Sequence, residues 1–213
     1  DFSQFAPHLQ KLIDLTHEKI EYLGCENTPY DVLLDEYEVG MTVNDYDPLF
    51  SGLKARLVPL LSRIMESDVV IPRLPSDMTF PIDGQEIFCS KVSKAMGFDF
   101  EAGRMDRSTH PFCAGIWPND TRFTTRFDEK DPFSCLYAVM HESGHGLYEQ
   151  GLPSEHTYSP AGSAISLGVH ESQSRFWENQ IGRTSAFWHI AMPWFREQFP
   201  DCPDWSSDVL DLV

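Results

Sequence analysis

Two histidines four residues apart, with a glutamate directly after the first, form the H-E-x-x-H motif His141-Glu142-Ser143-Gly144-His145. On an α-helix, positions four apart share a face and lie about 5–6 Å from one another, so both imidazoles can converge on one ion. The intervening Glu142 then stands beside the ion, where it can take a proton from bound water. The bare pattern also occurs on solvated helix faces that bind nothing. Here Val139, Met140 and Leu147 make the surrounding helix apolar, which argues against histidines turned to bulk water. A catalytic zinc site takes three protein ligands, commonly two histidines and a glutamate, and keeps one position open. The third ligand expected is Glu171, in Gly168-Val169-His170-Glu171-Ser172-Gln173-Ser174-Arg175. The competing reading of Glu171 is a helix-surface carboxylate paired with Arg175 at i+4. His170 is the other nearby donor, but successive helical side chains point about 100° apart, which directs it away from Glu171's target.

The elements that must carry these residues follow from pattern and punctuation. Leu9, Leu12, Ile13, Ile20 and Leu23 give a helical stripe over 2–24, with Gly24 as its stop. Thr42 and Asp45 resemble a capping arrangement for a second helix to about Ser67, kinked or broken at Pro59. Residues 69–80, rich in proline, suggest an extended connection, and a third helix is expected from Asp83 to Met96-Gly97. Asp120 to Phe127 alternates and is rich in β-branched and aromatic residues, a strand signal. Asp131-Pro132 supplies an N-cap and a proline at the first helical position for the metal-motif helix, which Gly151 ends. Two further helices are expected over 164–180 and 184–199, after a loop at 152–163. The fold class expected is mostly α (α+β), with a small sheet beside the H-E-x-x-H helix, in one cooperative unit spanning 1–213.

Composition narrows the function. The 213 residues carry 33 acidic and 16 basic side chains, a net charge of −17, which repels nucleic-acid phosphates and anionic membrane surfaces. Cys25, Cys89, Cys113, Cys135 and Cys202 are scattered and odd in number, which favours a reducing, cytoplasmic setting over a disulfide framework. No apolar run approaches the roughly 20 residues of a membrane helix. The opening at Asp1 and the end at Val213, inside a helical pattern, give the expectation of a chain truncated at both ends.

The two metal-motif segments, with His110-Pro111-Phe112 and Asp120-x-Arg122-x-Thr124 upstream of them, resemble the carboxypeptidase Taq family of HExxH metallopeptidases. Met96-Gly97-Phe98-Asp99-Phe100, and the stretch from Pro29-Tyr30-Asp31 to Asp47-Pro48-Leu49-Phe50, also look like family segments. The resemblance covers essentially the whole chain but only the middle of a family member. It implies a mostly helical fold with a groove, a single divalent ion, removal of C-terminal residues from peptide substrates, and a homodimer. By motif match His141, His145 and Glu171 would be the metal ligands and Glu142 the general base. Zinc suits two nitrogens and a carboxylate, and cobalt or another divalent ion fits the same set.

His110, Asp120, Arg122 and Thr124 match motifs near the family's site, and chemistry makes Arg122 and Arg126 the natural partners of a substrate carboxylate or oxyanion. A strand beside the metal helix could also hold a peptide by edge pairing. The plainer readings are that Asp120 and Arg122 brace a turn and that His110 is a buried core histidine. His156 is a weaker candidate, and His8, His17 and His189 are expected to be uninvolved. The family's downstream Ile-Arg-x-x-Ala-Asp and Gln-Asp-x-His-Trp segments do not occur here, so the carboxylate clamp expected in the first lies outside this sequence. Two rivals stand beside a carboxypeptidase: an endo- or aminopeptidase on the same site, and a metal-binding module without turnover.

Overall fold

The computed structural model describes residues 1–70 and 77–202. Part of the extended connection expected over 69–80 and the helical pattern at the end of the chain lie outside these residues. They fall into two compact units, Asp1–Val69 and Val70–Val213.

The first unit holds α1 (Phe2–Leu23), α2 (Pro29–Leu34) and α3 (Val43–Met65). Asp1 caps α1 by accepting from the Ser3 N–H at 3.0 Å, which satisfies an otherwise orphaned helix-start donor. At the start of α3 the Asp45 carboxylate accepts from both the Thr42 N–H (2.9 Å) and the Thr42 hydroxyl (2.6 Å). The helix runs through Pro59 rather than breaking there.

The second unit contains the chemistry. α4 (Ile82–Met96) ends at Gly97, whose φ of 108° lies in the left-handed region that a side chain disfavours. Three short strands follow: β1 (Gly103–Arg107), β2 (Phe112–Trp117) and β3 (Asp120–Thr125). Their spatial order is β1-β3-β2, with β1 parallel and β2 antiparallel to β3. The strand read from the sequence is therefore the central one, with both edges already paired. A peptide adding to this sheet would have to use β1 or β2 instead.

α5 (Pro132–Gln150) begins as expected, the Asp131 carboxylate accepting from the N–H groups of Phe133 and Ser134. The helix expected over 164–180 is α6 (Leu167–Arg175) continued by a π-helical stretch, Phe176–Ile181, and α7 (Ser185–Gln198) follows. α4, α5 and α7 enclose a core of Phe80, Phe88, Val92, Leu136, Trp188 and Phe195. Phe195 is central, meeting Phe88 edge-on at 5.2 Å and stacking on Phe133 at 5.8 Å. Each such buried side chain contributes about 1.5–3 kcal/mol. The core therefore holds α5 rigid from its inner face while His141 and His145 stand on another.

Candidate metal centre

The two middle residues of the motif are packing residues. The Ser143 hydroxyl, fully buried, donates to Ser93 of α4 at 2.8 Å. Gly144 faces α6 so closely that a Cβ there would lie 2.7 Å from the Gln173 carbonyl oxygen and from Ser174 Cα. Only glycine permits that approach, and the approach brings Glu171 over the histidine pair.

His141, His145 and Glu171 each offer a ligand atom, and these atoms lie within 4.8 Å of one another. Glu171 Oε2 is 3.1 Å from His145 Nε2 and 3.6 Å from His141 Nε2. Ligands at about 2.0–2.1 Å around a tetrahedral ion stand about 3.3 Å apart, so the spacing and the donor types fit a divalent metal. The surface pairing considered for Glu171 is present as well, since Arg175 Nε donates to its other oxygen at 2.9 Å. Burial pushes the Glu171 carboxyl up, but donation from Ser174 and Arg175, with the nearby positive charge, outweighs it and holds the group below its ordinary range. Burial, followed by His170 and His141, holds His145 below the ordinary imidazole value.

A carboxylate the sequence reading missed orients His141: its Nδ1 lies 2.9 Å from Glu178 Oε2. Glu178 stands on the π-helical stretch and is also gripped by Arg175 at 3.1 Å and Arg183 at 3.4 Å. The signal was there, because Glu171, Arg175 and Glu178 recur at i, i+4 and i+7, one helical face. His170 stays outside the trio, in keeping with its direction on the helix, but it is not idle. Its Nδ1 lies 2.6 Å from His145 Nδ1, and its Nε2 lies 2.7 Å from Glu149 Oε1. It supports the site from behind one of the histidine pair.

Glu142 is 7% exposed, and no ring or carboxylate of the trio takes it as a hydrogen-bond partner. Burial first, then Glu171 and Glu178, holds it above the ordinary carboxylate value against the pull of His141 and His110. His110 is exposed, so it is no core histidine; its Nδ1 meets the Pro111 carbonyl at 2.7 Å. Thr124 ties this stretch to β3. Its hydroxyl meets Ser108 at 2.6 Å and accepts from the Phe112 N–H at 3.2 Å.

Asp120 and Arg122 grip one another with two bonds of 2.8 Å. Thr121, their neighbour between, packs towards Gly146 of α5, so alternation sends Arg122 from the opposite sheet face. Arg126 is exposed, as is His156 in a short 3-10 turn (Ser154–His156). β2 also lies along α5 near its end, where Gly115 faces Glu149. There a cleft of about 820 Å³ opens, lined by Trp117, Leu147, Glu149, Gln150, Leu152 and Ser163 among others.

Residues 1–210 match the family described as carboxypeptidase Taq (M32) metallopeptidase. The chain is 43% identical to thermostable carboxypeptidase 1 of Thermus thermophilus over 221 aligned residues, covering 98% of this chain and 42% of that protein. It is 38% identical to carboxypeptidase 1 of Bacillus subtilis, covering 98% of this chain and 41% of the relative. The crystal structure of an M32 carboxypeptidase from Deinococcus radiodurans superposes with a TM-score of 0.84 at 35% identity, covering all of this chain and 43% of that one. The chain thus spans less than half the length of these relatives. With nearly the whole chain matched, and two histidines and a glutamate brought together as a possible metal-holding group, the chain belongs to the carboxypeptidase Taq (M32) family of metallopeptidases.

Proposed function

We propose that this chain carries the catalytic centre of a metal-dependent carboxypeptidase that releases C-terminal amino acids from peptides. His141, His145 and Glu171 hold one divalent ion, zinc by the donor set, and Glu142 is the general base. The reading rests on one observation: three ligand atoms of suitable type lie within 4.8 Å of one another beside a buried carboxylate that is not part of the trio. A divalent ion held there lowers the pKa of an adjacent water and polarises the scissile carbonyl. Glu142 takes the water's proton as the carbonyl is attacked and returns it to the departing amine. Its burial supports this role, because a base held above the ordinary carboxylate range accepts a proton more readily near neutral pH. His110, with Thr124 fixing the stretch that bears it, would lie beside the reacting centre on the strand side. Asp120 and Arg122 would act on substrate only at the outer sheet face, and Arg126 only from its exposed position after β3.

The family relatives named above as carboxypeptidases support release from the C-terminus over the endo- and aminopeptidase readings. Five free cysteines support a reducing, cytoplasmic setting, and the family resemblance supports a pair of chains. No described helix is long and apolar enough to cross a membrane. The test is hydrolysis of a dipeptide blocked at its amino end, with metal content measured on the same sample. Turnover that requires the ion and disappears when the carboxyl end is amidated is expected. Cleavage of the amidated peptide instead would favour an endopeptidase, and turnover without bound metal would overturn the reading.

A further inference from the structure

The two histidines of the trio are supported differently. His141 faces a carboxylate directly, through Nδ1 and Glu178. His145 reaches one only through a second imidazole: His145 Nδ1 to His170 Nδ1 at 2.6 Å, then His170 Nε2 to Glu149 Oε1 at 2.7 Å. We infer that His170 and Glu149 are positioning residues, a two-step relay that fixes the tautomer of His145 and so aims its bare Nε2 at the metal position.

The inference rests on the proposed metal centre and follows from hydrogen-bond inventory. An ionised carboxylate can only accept, so His170 Nε2 must donate to Glu149. A neutral imidazole has one donor and one acceptor, which leaves His170 Nδ1 as the acceptor. His145 Nδ1 must then carry the proton across the 2.6 Å contact. Its Nε2, the nitrogen that faces Glu171 at 3.1 Å, is left with a free lone pair. The reverse order would put a proton on that nitrogen and close it to a metal.

Packing keeps the relay in line. The Tyr148 ring lies 4.7 Å from that of His170, and the His170 ring lies the same distance from His145. Gly115 of β2 leaves room for the Glu149 carboxylate, since a Cβ there would sit 2.0 Å from Oε2. The sequence places His141, His145 and Glu149 at i, i+4 and i+8 of α5, so the relay's far carboxylate belongs to the metal helix itself.

The test is long-range nitrogen–proton NMR on the zinc-loaded chain with labelled histidine. The expected result is His145 protonated at Nδ1 with a zinc-shifted Nε2, and His170 protonated at Nε2 only. A zinc-shifted His145 beside a His170 protonated at Nδ1 overturns the relay while leaving the metal centre intact. No zinc shift on His145 overturns both. Zinc competition against a chelator supplies a second readout. His170→Phe should weaken binding about 10–100-fold, the usual effect of losing an outer partner of a metal ligand. His170→Asn, which keeps an acceptor oxygen near the place of Nδ1, should restore most of it. Equal loss in both variants would mean that the ring only fills space, and no loss in either would remove it from the site. Should His170→Phe fail to fold, Gly115→Ala displaces the Glu149 carboxylate without touching a histidine. It should also weaken zinc binding, and an unchanged affinity overturns the relay.

Discussion

Gly144 lies so close to Ser174 that a methyl group in its place would stand 2.7 Å from the serine Cα. The contact is backbone to backbone, so no side chain can swing aside to relieve it. Gly144→Ala must push α6 away from α5, and Glu171 moves with α6. Overpacking of this kind costs about 1–3 kcal/mol. The expected outcome is a folded chain with a lower denaturation midpoint and a disproportionate loss of zinc affinity. A variant that melts lower but binds zinc as before would separate the helix contact from the site.

Glu142→Gln should keep the metal and lose most turnover in any form of the enzyme that is active, by a factor on the order of 10²–10⁴. The amide preserves volume at a buried position but cannot take a proton. Metal content at equal protein concentration, beside initial rates, checks this. A variant that loses its ion, or keeps its rate, would assign the base elsewhere.

Cys113 gives a probe of the site's charge. Burial, with Glu142 and Glu149 close by, pushes its thiol up to about 12. The thiolate is the nucleophile, so at pH 8 iodoacetamide should modify exposed Cys25 and spare Cys113, as mass spectrometry of digests would show. Reactivity at Cys113 should rise only on the approach to its raised value. In Glu142→Gln that rise should begin at lower pH, because one of the two neighbouring charges is gone. Equal labelling of both cysteines at pH 8 would contradict the burial.

Part of this was legible because it is local. The His141–His145 pair and the caps at Asp131 and Thr42 each need only a few residues and one helix period. The strand at Asp120–Thr125 was legible too, but its neighbours were not. Gly103–Arg107 and Phe112–Trp117 are short and become strands through pairing with β3, which is a long-range condition. The helical wheel kept His170 from the ligand position but could not show its contact with His145, for a different reason. That argument asks which side chains share a face of one helix, whereas His170 reaches across from α6 to a nitrogen of His145 on α5. Glu178 and Glu149 were readable at helical spacing from the motifs, yet carboxylates are so common in this acidic chain that spacing alone did not single them out.

In the first unit, Asp45 should titrate low. Its hydrogen bonds from the Thr42 hydroxyl and N–H hold it below its ordinary value. A depressed folded-state value contributes stability that is fully present above the unfolded value of about 3.9 and is lost as pH falls through the folded value. Thr42→Ala removes the hydroxyl and should move the Asp45 midpoint upward, and α3 should fray at its start at a higher pH than before. Carboxyl NMR titration reads the first and amide exchange at Val43–Tyr46 the second. An unchanged midpoint would show that the cap does not form in solution.

The most direct test of the account is the zinc content of the chain and of Glu171→Ala after equilibrium dialysis at neutral pH. One zinc per chain is expected for the parent, and a loss of most of it in the variant. The variant removes the carboxylate that stands 3.1 Å from His145 Nε2 and leaves only two nitrogens for the ion. A parent chain without zinc, or a Glu171→Ala chain that retains one zinc with undiminished affinity, would contradict it.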